Sequence, residues 1–132
     1  MPAFEVWEDP ATETRFCFSH SDENFTTGVM ILQPKIELPK HNRPLAFENL
    51  LQISGRCEMR LLDEAGNLQA THTLNPGDSL RMEKGQWHIH ANPFDEESAT
   101  LFKAEGDITA IVEKLRETFT AIRPRNAEQQ EG

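Results

Sequence analysis

Between residues 28 and 104 the chain is a succession of short strand-like segments separated by turn signals. Gly28-Val29-Met30-Ile31-Leu32-Gln33 is a continuous, branched apolar run of the kind buried on both faces. Residues 46–54 form the next segment, and Gly55-Arg56 turns the chain. Cys57, Met59 and Leu61 then alternate with Glu58 and Arg60, and Leu68, Ala70, His72 and Leu74 share one face of the segment after it. Asp63-Glu64-Ala65-Gly66-Asn67 joins these two as a hairpin loop. Asn75-Pro76-Gly77-Asp78 is a strong turn signal, Ser79 to Met82 and Trp87 to Asn92 are short strands, and Ala99 to Ala104 is the last. Such spacing predicts an antiparallel all-β sandwich or barrel. Residues 1–27 contribute N-terminal strands and a loop to the same domain, and 28–104 form the barrel. His20 is expected in that loop, exposed to solvent.

The period changes after Gly106, where Ile108, Ile111, Val112, Leu115, Phe119 and Ile122 recur at helical spacing. A C-terminal α-helix is expected over 106–123, with Asp107 as N-cap and Pro124 as its stop. It either covers one sheet or serves as a dimer contact. The polar residues 124–132 are expected to be a disordered tail.

Composition sets limits on partners. The chain has 132 residues, the size of one ordinary domain, and 37% of them are hydrophobic, enough for a globular core. A net charge of −9 argues against nucleic acid and anionic membrane surfaces as partners. No apolar run approaches the ~20 residues of a membrane span, and the N-terminus lacks the pattern of a signal peptide. A cytoplasmic setting is expected. Cys17 and Cys57 show no metal or redox spacing and read as small buried hydrophobes.

Chemistry concentrates in two places. His41, Arg43, Glu48 and Gln52 fall in the stretch from Lys40 to Gly55, and His88 and His90 share the polar face of the strand from Trp87 to Asn92. Glu48, Leu50 and Gln52 lie two apart on one strand face, so a barrel interior would receive Glu48 and Gln52 together. Taken alone, His41 after Pro39-Lys40 reads as a surface-loop residue, and His72 reads as a satisfied core histidine.

Spacing changes the weight of these residues. From His41 the chain runs His-x-Arg-x4-Glu-x6-Gly to Gly55, and from Gly77 it runs Gly-x5-Glu-x-Gly-x2-His-x3-Asn to Asn92. This pair resembles the two signature motifs of the cupin superfamily, G-x5-H-x-H-x3-4-E-x6-G and G-x5-P-x-G-x2-H-x3-N. The resemblance implies a double-stranded β-helix, a jelly-roll barrel, which agrees with the strand pattern. It implies a divalent metal at His41, Glu48 and His88, the positions that match the family's ligands. Three positions depart from the pattern: Lys35 and Glu83 stand where the motifs carry glycine and proline, and Arg43 stands where the first motif carries its second histidine.

Arginine has no lone pair to give a metal, so two readings remain open. In one, His41, Glu48 and His88 hold iron, manganese or zinc with open positions. Arg43, Gln52 and His90 then bind a small polar or anionic ligand, with Arg43 as substrate anchor and His90 as acid or base. Oxygenase, isomerase and lyase chemistry all fall within the family's range. In the other, Arg43 pairs with Glu48 in the metal's place, and the protein is a non-enzymatic binding or sensor module. A homodimer is expected in either case, as cupins often form and as exposed jelly-roll edges would allow.

Overall fold

A computed structural model of the chain describes residues 4–123. Its elements are β1 (Glu5–Asp9), β2 (Thr14–Ser21), β3 (Phe25–Leu32), β4 (Ile36–Glu37), β5 (Ala46–Ser54), β6 (Cys57–Leu62), β7 (Leu68–Leu74), β8 (Ser79–Met82), β9 (Trp87–Asn92), β10 (Ser98–Gly106), α1 (Thr109–Thr118) and β11 (Thr120–Arg123). The strands form two antiparallel sheets, one in the order β11-β1-β2-β3-β10-β5-β8 and one in the order β4-β9-β6-β7. The architecture is the all-β double-stranded β-helix with one helix near its C-terminus. That helix is too short to cross a membrane, and none among the described residues is long and apolar enough to do so.

Period-two alternation decides which side chains enter the space between the sheets. On β3, alternate residues Thr26, Gly28, Met30 and Leu32 are buried, and on β10 Ser98, Thr100, Phe102 and Ala104 are. With Phe18, Leu50, Cys57, Met59 and Met82 these build the core. Cys57 is buried and Cys17 half-buried, both unpaired. Burial raises the Cys57 thiol to about 12, so it behaves as a small hydrophobe.

Four expectations are corrected. The helix is shorter than 106–123: it ends at Thr118, and Phe119 is already extended at φ −94° and ψ 161°. Thr120 to Arg123 instead pair with β1, giving an otherwise open edge a partner. Asp107 lies outside the helix, though its carboxylate does accept the Thr109 amide at 2.9 Å. His72 is exposed rather than core, because the face of β7 that it shares with Leu68 is turned largely to solvent. His20 is exposed as expected but lies within β2, bonded to Asp22 at 2.8 Å. The tail at 124–132 lies outside the described residues.

The motif glycines are tied to turns and close approaches. Gly55 has φ 64°, and a Cβ there would stand 2.0 Å from the Glu97 carbonyl oxygen. Lys35, at the position where the family motif carries glycine, has φ 67°. A side chain in this left-handed region costs roughly 1–2 kcal/mol, partly offset because glycine is freer in the unfolded chain. Lys35→Gly is therefore expected to stabilise the fold by about 1 kcal/mol, less the exposed contacts of Lys35 to Pro93 and Asp95. Equilibrium urea unfolding measures this.

A fork of two bonds fastens α1 to the barrel. Arg116 donates from Nε and Nη2 to the two carboxylate oxygens of Glu5 at 2.8 and 2.7 Å, and Trp7 donates its indole N–H to Glu5 at 3.0 Å. Arg116→Ala is expected to cost roughly 2 kcal/mol, the range for hydrogen bonds to charged groups. Hydrogen exchange should show α1 amides losing protection first.

Candidate metal centre

The two motifs meet through the backbone. His41 precedes β5 in an irregular segment, yet its amide donates to the His88 carbonyl at 3.0 Å and its carbonyl accepts from the His88 amide at 2.9 Å. This reciprocal pair adds His41 to the edge of β9. The rings of His41 and His88 then lie 4.2 Å apart at 72°. Glu48 arrives from the inward face of β5, between Ala104 on β10 and Met82 on β8. Its Oε1 lies 3.2 Å from His88 Nε2.

Both imidazoles are held in one orientation by their Nδ1 atoms. His41 Nδ1 donates to the Pro39 carbonyl and His88 Nδ1 to the Gln86 carbonyl, each at 2.9 Å. A ring that donates from Nδ1 presents Nε2 as its remaining nitrogen. Backbone carbonyls at Nδ1 are a common support for metal-binding histidines. One ligand atom from each of His41, Glu48 and His88 lies within 4.8 Å of the others. Two ligands each about 2.1 Å from a shared ion stand about 3.0–3.4 Å apart, and the His88–Glu48 edge has that length. Two histidines and a carboxylate with further positions open suit iron, zinc or manganese. The donor set fits such an ion.

The electrostatics agree with the donor chemistry. Burial, the Arg43 charge and His88 lower His41 to about 4, leaving it neutral with a lone pair at neutral pH. Burial alone would raise Glu48, but its bond to His88 and the charge of Arg43 hold it at about 2, so it stays a carboxylate. His88 Nε2 faces this carboxylate while Nδ1 faces a carbonyl.

Arg43 lines the same cavity but takes no part in that set. Among the described residues it forms no ion pair with Glu48; its Nη1 donates to the Asn42 carbonyl at 3.2 Å, and its Nε is buried without a partner. His90, one inward step along β9, is also in the cavity wall, and its Nε2 is buried and unpartnered. Burial lowers His90 to about 3, so it is a neutral hydrogen-bonding group at neutral pH.

Gln52 is corrected outright. It shares the inward face of β5, but its Nε2 donates to Ser54 O at 2.9 Å and Ser98 Oγ at 3.0 Å, and its Oε1 accepts from Thr100 at 2.6 Å. It ties β5 to β10 away from the cavity wall. Asn92, the last residue of the second motif, is likewise structural: it donates to the Leu32 and Glu96 carbonyls and accepts from the Phe94 amide.

The sequence reading missed the cavity's other wall. Phe16 and Phe18 of β2, Phe102 of β10, and Ile108, Ile111, Val112 and Leu115 in and before α1 line it. The helix closes over the cavity, which has a volume of about 70 Å³. Its helical spacing was visible, but not the place to which its apolar face would turn.

Residues 28–103 match the cupin domain family. The chain is a cupin. Comparison with curated proteins returns no match. Among solved structures, KdgF from a Halomonas species superposes with a TM-score of 0.66 at 12% identity, covering 80% of this chain and 91% of that one. A Klebsiella pneumoniae protein with a double-stranded β-helix domain gives 0.62 at 18% identity, covering 72% and 78%. Oxalate oxidase in complex with glycolate gives 0.57 at 16% identity, covering 63% of this chain but 42% of that one, so the cupin spans less than half of that protein's length. At such identities these likenesses concern the fold.

Acid should weaken this core. His41 and His90 have folded pKa values below the ordinary histidine value, so the unfolded chain takes up protons at these sites first as pH falls from 7 toward 4. Glu48, lowered to about 2, adds a second loss below its ordinary value of 4.5. The urea midpoint of metal-free protein is expected to fall steadily from pH 7 to 4. The slope should be shallower in His90→Leu, which removes one of the groups.

Proposed function

We propose that this cupin binds one divalent metal ion through His41, Glu48 and His88 and holds a small anionic ligand beside it, with Arg43 as the charge that receives the ligand. The observation that carries the reading is the fixed presentation of the two imidazoles. Each is anchored at Nδ1 by a backbone carbonyl, and one ligand atom from each ring lies within 4.8 Å of the other and of a carboxylate kept ionised despite burial. A hydrogen-bonded polar cluster with no ligand to bind has no need of that arrangement. Arg43 supports the second half, since it lines the cavity, forms no ion pair with Glu48 among the described residues and keeps a buried Nε donor without a partner.

A divalent ion held here supplies Lewis acidity toward a bound oxygen, and iron or manganese would add redox chemistry. What the chain's own residues contribute is orientation. Arg43 fixes an anionic group of the ligand, and neutral His90 offers it a hydrogen-bonding nitrogen. The helix and the aromatic residues of β2 and β10 exclude water from the space around both. Reaction on the ligand, of oxygenase, isomerase or lyase type, is an extension of this reading; binding is its core. The metal-free alternative, with Arg43 paired to Glu48, lacks the ion pair it requires.

Metal titration by calorimetry tests it. Metal-free protein is expected to bind one Zn²⁺ or Mn²⁺ per chain. His88→Ala and Glu48→Gln should weaken binding by at least ~100-fold, more than loss of a supporting contact. Arg43→Gln should strengthen it, because a buried cation beside the ion is removed. Folded wild-type protein that takes up neither ion, or a tight site that survives His88→Ala, would overturn the assignment.

A further inference from the structure

We propose that the ligand of this cavity is a short-chain monocarboxylic acid with an apolar body, its carboxylate at Arg43 and His90 and its hydrocarbon against α1. The proposal deepens the metal-centre reading and rests on it for the position of the ion, but its two recognition elements belong to the chain alone.

The first element is a pair of unspent polar atoms. Arg43 Nε and His90 Nε2 are the two buried side-chain atoms without a hydrogen-bond partner among the described residues, and both side chains line one cavity. Arg43 Nε–H is a donor with no alternative role. His90 presents either tautomer, and a carboxylate selects the one with a proton on Nε2. Leaving such groups unpaired is costly, and a carboxylate is the ligand group that accepts from either. Formal charge points the same way. Arg43 is the one cationic side chain that lines the cavity, and an anionic head group complements it.

The second element is what the rest of the wall lacks. Apart from His41, Arg43, Glu48, His88 and His90, every side chain lining the cavity is apolar. The polar groups come from the segment before β5, from β5 and from β9; most of the apolar ones come from α1, β2 and β10. A second carboxylate or a hydroxyl-rich body would find no donor or acceptor on those elements and would be desolvated without compensation. Ile111 lines the cavity and is still 36% exposed, so an apolar residue also stands at its edge. The volume of about 70 Å³ sets a small size, that of a few carbons, rather than a long acyl chain or a fused ring.

The test is a chemical-shift titration of ¹⁵N-labelled full-length protein, metal-free and Zn²⁺-loaded, with isovalerate, 3-methylbutan-1-ol and malonate. Isovalerate is expected to bind at least tenfold more tightly than either other probe in both forms. Its shifts should fall on α1 and on residues around Arg43. Arg43→Gln should cost at least tenfold in isovalerate affinity and leave the alcohol unchanged. Ile111→Asp, at a partly exposed position that tolerates change, should weaken isovalerate and not malonate. Malonate binding as tightly as isovalerate would overturn the apolar half, equal binding of the alcohol would overturn the carboxylate half, and no binding of any probe would overturn the whole. If Zn²⁺ fails to bind, the metal reading falls, and the metal-free titration still decides this one.

Discussion

The reciprocal backbone bonds between His41 and His88 are the contact on which the site depends. They join residues 47 positions apart, dock the irregular segment before β5 onto the edge of β9, and bring the two histidine rings together. With that bridge in place, Glu48 needs only the ordinary alternation of β5 to reach them. Without it, His41 would be what its local sequence describes, a polar residue after a proline in an exposed turn. Ring orientation follows from the same stretches of backbone, since the carbonyls that hold each Nδ1 lie two residues before each histidine. The convergence of His41, Glu48 and His88 is thus a property of main-chain pairing, with side chains as its readout.

Arg43 shows how one substitution in a family motif changes a site without dismantling it. A cation in place of a ligand lowers the number of protein donors and adds repulsion to any ion. The cavity accommodates it by placing Glu48 close enough for its charge to be felt while forming no ion pair with it. Burial pulls the Arg43 pKa down and Glu48 pulls it back up, and arginine remains charged under such competition where lysine would not. The outcome is a buried donor with no hydrogen-bond partner among the described residues.

Strand boundaries from residue 46 to residue 92 were legible because each strand is bounded by a turn whose chemistry is local: Gly55, Pro76-Gly77 and Gly85 leave the chain little choice. The end of the helix was not. Apolar spacing continues through Phe119 and Ile122, but the open edge of β1 competes for those residues and wins, because a strand edge satisfies backbone groups along its whole length. Gln52 failed for a similar reason. Its face was read correctly, but Ser98 and Thr100, from a strand more than 40 residues away, use up its amide.

The sequence by itself determined the alternation that makes a jelly roll, the turns that space it, and the spacing that marks His41, Glu48 and His88 as one set. These are local periods and fixed intervals, and they survive without coordinates. Only the tertiary structure decided what surrounds that set: that His90 is buried with an unpartnered Nε2, that Arg43 keeps an unpartnered Nε donor, and that the helix with Phe16, Phe18 and Phe102 walls the cavity with hydrocarbon. Each of those properties depends on burial, and burial is a sum over neighbours that are distant in the chain.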